Sequence, residues 1–461
     1  MADVILLYPK IKEKTSFYRN PIERIKELHS SIPIPLGLLS ISRYLVDRFK
    51  VKIIDQRTDK DWKKHLLKEL NQNPLCIATT STTGLQINYA LEISKFVKQN
   101  SNIPVVWGGV HPSLLPRQTL ENPNIDILVK GEGEITFFEL VKAMEKNRTL
   151  KGINGVSFKK NGIIQKNPDR SPPDLSSLPD IPYHLIDMGE YTTRLKKSIL
   201  IENSRGCSKS CTFCITPTIP FRFIGAEKLI KQIKHLNQCY KIKNFFFTDE
   251  NFFLNNKEVE KITNTIIRDK IDINWFAGGG DINSLQKCNL KILRKSGCTR
   301  VLLGAESGSQ RVLDFINKGC RVNEIQDVSK KFRNSNIRLS ISFMMGLPNE
   351  TLEDSIKTIN LMFNLLNKNN DIALSIYKPY PDTPLFLYAL KKGFKVPQSL
   401  VEWGHFNQNH LNMPWIHNDI KKMEKYWFIL NDIQAFPKII NKYIQTNLHK
   451  KMLNLLMGKN G

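Results

Sequence analysis

The regular alternation of strand-like and helix-like stretches constrains this 461-residue chain more than any other feature. Short apolar runs at Val4–Tyr8, Val51–Asp55, Leu75–Thr79, Val105–Trp107 and Ile127–Val129 read as buried strands. Stretches of helical period separate them. Leu36–Leu45 is entered from Pro35, Ile87, Ala90, Leu91, Phe96 and Val97 share one face, and Phe137, Phe138, Val141 and Met144 share another. Lys10–Ser31 has no strong periodicity. Strands alternating with helices predict a doubly wound α/β sheet over residues 1–150.

A Pro-, Ser- and Asp-rich stretch from Asp169 to Pro182 reads as a linker, within residues 151–194. Alternation then resumes. Strands are expected at Ile199–Glu202, Asn244–Thr248, Ile273–Ala277, Arg300–Ala305, Arg338–Met344 and Ile372–Tyr377, with helices such as Ala226–Asn237 and Leu285–Lys295 between them. Six such units predict a partial, TIM-like β/α barrel over 195–395, with its chemistry at the carboxyl ends of the strands. Beyond Gly393 the apolar positions Met423, Trp427, Leu430, Ile433, Ile440, Tyr443 and Leu448 predict a helical cap over 396–461.

Three cysteines fall within eight residues, Cys207, Cys211 and Cys214, directly after the first strand of the second half. Thiolates select soft metals: zinc, copper(I) or iron–sulfur clusters. A structural zinc site needs four closed ligands, usually from two paired knuckles, and no second CxxC follows. Three ligands on one loop leave a metal position open, as a catalytic cluster requires. The other five cysteines are scattered singly and read as small buried hydrophobes. Eight in a chain of this length do not make a disulfide scaffold.

The formal net charge is +25, yet no compact Arg/Lys block with interleaved aromatics stands out, so nucleic acid is not an expected partner. No apolar run is long enough to span a bilayer. Met1-Ala2-Asp3 before Val4 has no basic leader region, so the expected location is the cytoplasm. Peripheral membrane contact through the lysine-rich tail is a further expectation.

The cysteine motif resembles the signature of the radical S-adenosylmethionine (SAM) enzymes, and the surrounding chain resembles their cobalamin-dependent branch over roughly residues 1–395. The Leu-Gly-Leu-Leu segment at 36–39, Gly108-Gly109-Val110-His111 and Gly131-Glu132-Gly133-Glu134 are similar to the Rossmann-like cobalamin-binding domain of that branch. The resemblance implies that Ser81, Thr82, Gly108, Gly109, His111, Gly131 and Glu132 cradle cobalamin. The Asp-x-His-x-x-Gly element that supplies a lower cobalt ligand elsewhere is absent, so His111 is not assigned to cobalt.

In the second half the resemblance implies a 4Fe–4S cluster on Cys207, Cys211 and Cys214, with Phe213 beside the adenine of SAM. Asp249 and Glu250 fall where relatives hold the methionine end of SAM. Glu306, within Gly304-Ala-Glu-Ser-Gly308, is the candidate for the ribose hydroxyls, with Ser307 beside it. Gly346-Leu-Pro-x-Glu350-Thr and Pro379-Tyr-Pro-Asp-Thr-Pro384 also recur in this branch. The implied activity is generation of a 5′-deoxyadenosyl radical and methylation of an unactivated carbon in a small-molecule or lipid substrate. A flavodoxin or ferredoxin would serve as electron donor. Radical cyclisation or rearrangement with the same cofactors is the alternative. A tRNA methylthiotransferase is rejected, because that family carries three further N-terminal cysteines and here Cys76 stands alone. A non-catalytic cobalamin sensor would not need the intact cysteine motif.

Overall fold

The computed structural model describes residues 2–11, 32–192, 199–367, 369–406, 413–422 and 447–454. The expected tail positions from Met423 to Tyr443 lie outside them. The chain divides into two compact units, residues 1–199 with 397–409, and residues 200–396 with 410–461.

The first unit is built on a seven-stranded sheet of order β2-β1-β3-β4-β5-β6-β7. Its strands are β1 (Val4–Tyr8), β2 (Val51–Asp55), β3 (Cys76–Thr80), β4 (Val105–Gly108), β5 (Ile127–Val129), β6 (Val156–Lys160) and β7 (Ile163–Lys166). The first five pair in parallel, with Val4 opposite both Val51 and Cys76. Val4, Leu6, Ala78, Val106 and Val129 on one face pack with Leu38, Phe137, Leu140 and Val141 of the covering helices. Such burial contributes about 1.5–3 kcal/mol for each large apolar side chain.

Residues 151–194 depart from the expected linker. β6 and β7 form an antiparallel hairpin that extends the sheet, turning at Asn161 (φ +51°) and Gly162 (φ +78°). Asn-Gly is the turn pair whose positive φ matches the twist of a tight hairpin. Pro397–His405 likewise leaves the expected cap: the helix Leu400–His405 packs on the helix Gln86–Asn100 of the first unit.

The second unit carries a six-stranded sheet of order β8-β11-β12-β13-β14-β15. The strands are β8 (Ile199–Ile201), β11 (Asn244–Phe247), β12 (Asn274–Ala277), β13 (Cys298–Glu306), β14 (Arg338–Met345) and β15 (Asn370–Ile376). β11 to β15 pair in parallel, the arrangement of a partial β/α barrel. A two-residue antiparallel ladder joins β9 (Ser204–Arg205) to β10 (Arg222–Phe223). Cys76 and Cys298 are buried as expected, but Cys239 is exposed and Cys288 and Cys320 are half-buried.

Candidate functional site

The cysteine loop leaves β8 and is pinched closed at its base. β9 pairs with β10, and between that ladder and Cys207 stands Gly206 at φ +81°. A side chain there would lie 2.5 Å from the carbonyl oxygen of Pro220 and closer still to that of Ile219. Only glycine lets the two backbones approach so closely.

Within the loop Cys214 N–H donates to Cys211 O (3.2 Å), and Thr216 N–H donates to the sulfur of Cys214 (3.4 Å). The far side is tied to the turn that follows the helix Gln310–Phe315. Thr212 N–H donates to Ile316 O (3.0 Å), and Asn317 Nδ2 donates to Ser210 O (3.1 Å) and Ser210 Oγ (2.8 Å). All three motif thiols are half-buried and free of disulfides. Burial pushes the Cys211 thiol up, Lys318 opposes that, and charge on Glu306, Cys214 and Cys207 adds to it. Among the described residues no three such ligands close around a lone ion. A donor set of three half-buried thiols on one short loop, with a backbone N–H on one sulfur, fits an iron–sulfur cluster, which takes one thiolate per iron.

Asp249, beyond the end of β11, is buried, and its carboxylate accepts from Ser204 Oγ and from Asn203 N–H (3.2 Å). Burial pushes it up to about 7, against those two donors. It therefore braces the base of the cysteine loop rather than facing outward. Glu250 is exposed, beside the N–H of Gly206.

β13 bulges between Gly304 and Glu306, and Glu306 sits at φ +64°, a rare backbone state for a residue with a side chain. Its Oε1 accepts from Lys318 Nζ at 2.9 Å, both side chains being 13% exposed. Ser307 is fully buried, with its hydroxyl against Thr358 Oγ1 (3.0 Å) and Ser309 N–H (3.1 Å), which makes it a support for the strand end. Phe213 packs beside Val312, Ile316, Met344, Leu347, Tyr377 and Leu385, and the Lys318 ammonium lies 6.0 Å from its ring centre. The next loop is held by Glu350, which accepts from Gly346 N–H (2.6 Å), Leu347 N–H (3.1 Å) and Ser355 Oγ (3.0 Å).

In the first unit three loops meet at the carboxyl ends of β3, β4 and β5. Ser81 N–H donates to Gly108 O (3.0 Å), and His111 N–H donates to Ser81 O (3.1 Å). Gly109, at φ +97°, has no room for a side chain against Thr80 Oγ1 and Ser81 O. Gly131 N–H donates to Ser113 Oγ (2.9 Å), which ties in the third loop. Thr82 N–H and Oγ1 both donate to Gln86 Oε1 (2.8 and 3.1 Å). Glu132 precedes the helix Gly133–Glu145, whose Glu134 accepts from Ser40 Oγ (2.7 Å).

His111 is 1% exposed, with Nδ1 3.0 Å from Thr83 Oγ1 and its ring 5.7 Å from that of Trp403. Burial lowers its pKa to about 4, so it is neutral near pH 7 and lies beneath the loop surface. What the loops offer outward is Thr82, the apolar Val110 and Gly131, the last at φ +75° with open space where a side chain would stand. A glycine-opened backbone rim with Val110 exposed and His111 buried beneath it fits a broad flat ligand such as a corrin.

Lys318, Asn317, Thr358 and Trp403 were not singled out by sequence reasoning. The signal that could have pointed to the first two is the Asn317-Lys318-Gly319 turn, with positive φ at Asn317 and Gly319, twelve positions after the Glu306 motif.

The radical SAM superfamily model matches residues 201–362, and the B12 binding domain model matches residues 30–141. An uncharacterized methyltransferase of Pyrococcus horikoshii, PH0819, is 34% identical over 377 residues, covering 79% of this chain and 80% of that protein. The anaerobic magnesium-protoporphyrin IX monomethyl ester cyclase of Cereibacter sphaeroides is 30% identical over 349 residues, covering 72% of this chain and 56% of that protein. Among solved structures, the radical SAM methyltransferase TsrM of Kitasatospora setae with cobalamin and a [4Fe-4S] cluster has a TM-score of 0.69 at 19% identity, covering 86% of this chain and 80% of that one. OxsB with aqua-cobalamin and SAM bound has a TM-score of 0.74 at 19% identity, covering 99% and 72%. The fold and the thiol loop define a radical SAM enzyme. This chain belongs to the cobalamin-binding branch of that family, whose cofactors are a 4Fe–4S cluster, SAM and cobalamin.

Proposed function

We propose that this enzyme transfers a methyl group to an unactivated carbon of a small organic molecule. The observation that carries the reading is the presence in one chain of three half-buried, free thiols on one short loop and a glycine-opened loop rim that fits a corrin. The similarity to PH0819, named as a methyltransferase, supports it. When bound, the cofactors supply hydrogen-atom abstraction and a transferable methyl group.

The chain's own residues bind, orient and exclude water. Cys207, Cys211 and Cys214 hold the cluster. Lys318 occupies one oxygen of Glu306 and leaves the other to accept from a ribose hydroxyl. Phe213, Met344, Leu347 and Tyr377 give that site an apolar wall. Glu250, beside the cysteine loop, is the carboxylate placed for the amino end of SAM, while Asp249 and Ser307 act from behind. In the other unit Ser81, Thr82, Gly108, Gly109, Gly131 and Glu132 form the corrin cradle, and His111 supports them from below.

The substrate would be a small molecule or a lipid, the electron donor a flavodoxin or ferredoxin, and the location the cytoplasm. No helix among the described residues is long and apolar enough to cross a membrane. The similarity to the anaerobic cyclase favours one second reading, radical cyclisation with the same cofactors.

Anaerobic turnover of the reconstituted protein with deuteromethyl SAM, a reductant and a cell extract separates the two. Label on an extract metabolite, with both 5′-deoxyadenosine and S-adenosylhomocysteine formed, establishes methyl transfer. 5′-Deoxyadenosine without transferred label gives the cyclase reading precedence.

A further inference from the structure

We infer that Lys318 is a positioning residue of the thiol-triad site: it fixes the carboxylate of Glu306 and sets a positive charge beside the cysteine loop that raises the reduction potential of the cluster. The inference rests on the reading of Cys207, Cys211 and Cys214 as cluster ligands.

Three independent features hold Lys318 where it is. First, its turn grips the cysteine loop on both sides of Cys211. Ile316 O takes the N–H of Thr212, and Asn317 Nδ2 donates to Ser210 O and Oγ, so the turn that carries Lys318 is held against the cysteine loop. Second, the neighbouring strand has been cleared for the ion pair. A Cβ on Gly304 would lie 2.9 Å from Lys318 Nζ and closer still to Glu306 Oε1. Third, the ammonium is only 13% exposed and lies 6.0 Å from the ring centre of Phe213, inside the motif itself. A surface lysine needs none of these. The ion pair with Glu306 at 2.9 Å keeps the ammonium charged in this shielded place.

The consequence is electrostatic. One-electron reduction by a low-potential donor adds one negative charge to the cluster, and a fixed cation within a shielded site favours the reduced form. Cluster potentials respond to such net charge, to hydrogen bonds on sulfur and to solvent exposure. Glu306 offsets part of the effect.

The test is a redox titration of the reconstituted full-length protein without SAM, read by electron paramagnetic resonance. Lys318→Met is expected to make reduction about tenfold harder, a fall of about 59 mV for one electron. Lys318→Arg stays near wild type, and Glu306→Gln moves the midpoint upward. If Lys318→Met fails to load a cluster, Glu306→Gln and Lys318→Arg carry the test alone. A Lys318→Met midpoint equal to wild type, or a Glu306→Gln midpoint at or below wild type, overturns the inference while leaving the ligand reading intact. Wild-type protein that takes up no iron and sulfide overturns both.

Discussion

Replacing Gly206 by alanine is expected to abolish cluster loading while leaving the barrel folded. The residue before Cys207 sits at φ +81°, and a Cβ there lies 2.5 Å from Pro220 O and 2.7 Å from Pro220 C. Holding a side-chain-bearing residue in such a backbone state costs about 1–3 kcal/mol. Overpacking against rigid neighbours costs about another 1–3 kcal/mol. The obstructing atoms are backbone, and they belong to a segment closed by the pairs Arg222↔Arg205 and Phe223↔Ser204, so relief requires opening that ladder. The sum, about 2–6 kcal/mol, lowers the competent population of the loop about thirtyfold to ten-thousandfold. Iron and sulfide per chain after anaerobic reconstitution measure this directly, with far-ultraviolet circular dichroism melting to follow the fold. Gly225→Ala is the matched control, since Gly225 has φ +100° but open space around its Cβ position. It carries only the backbone cost. A Gly206→Ala protein that loads cluster as fully as Gly225→Ala refutes the reasoning.

Other consequences follow from the same geometry. Gly109→Ala, which crowds Thr80 and Ser81, and Gly131→Ala, which fills the open rim, should each weaken hydroxocobalamin binding about tenfold or more by absorbance titration, the cost of the former being a strained loop. Burial pushes Glu350 up to about 7 from 4.5, so the stability it contributes is full below pH 4.5 and is lost as pH rises through about 7. Wild type should therefore lose stability relative to Glu350→Gln across that window, and a Tm difference that stays flat between pH 5 and pH 8 would sink the idea. Trp403 is fully buried against His111 and Phe406, so Trp403→Ala should destabilise the first unit by about 3–5 kcal/mol. Faster hydrogen exchange in the helix Gln86–Asn100 would report it, and Trp403→Phe should restore most of the protection.

The strands were legible because their signal is local. Val4–Tyr8 and Val51–Asp55 form with the expected bounds, and all six strands of the second unit fall within a few residues of expectation. The hairpin β6–β7 carried its own signal at Asn161-Gly162, but its neighbours are too polar to stand out as strands beside a Pro-rich stretch. At the site, motif position located Cys207, Cys211, Cys214 and Glu306, yet it could not show which way a side chain turns. Asp249 and Ser307 sit in the expected loops, but their hydrogen bonds run inward, to Ser204 and Thr358. His111 was expected in the cobalamin cradle on a glycine loop, and the fold buries it against a tryptophan 292 positions later in the chain. Lys318 meets Glu306 only because β13 bulges at Gly304, and a bulge leaves no periodic trace.

The placement of Pro397–His405 has a consequence in time. The first unit is completed by a helix that the ribosome delivers only after the whole second sheet has emerged. At about 5–20 residues per second, the 292 positions from His111 to Trp403 keep the histidine without its tryptophan cover for about 15–60 s. During that interval the loop rim exists without its backing, and a corrin binding early would meet a surface still free to rearrange. Maturation of this enzyme therefore has a built-in order, in which the cobalamin domain is the first to begin folding and cannot finish until the barrel has been made.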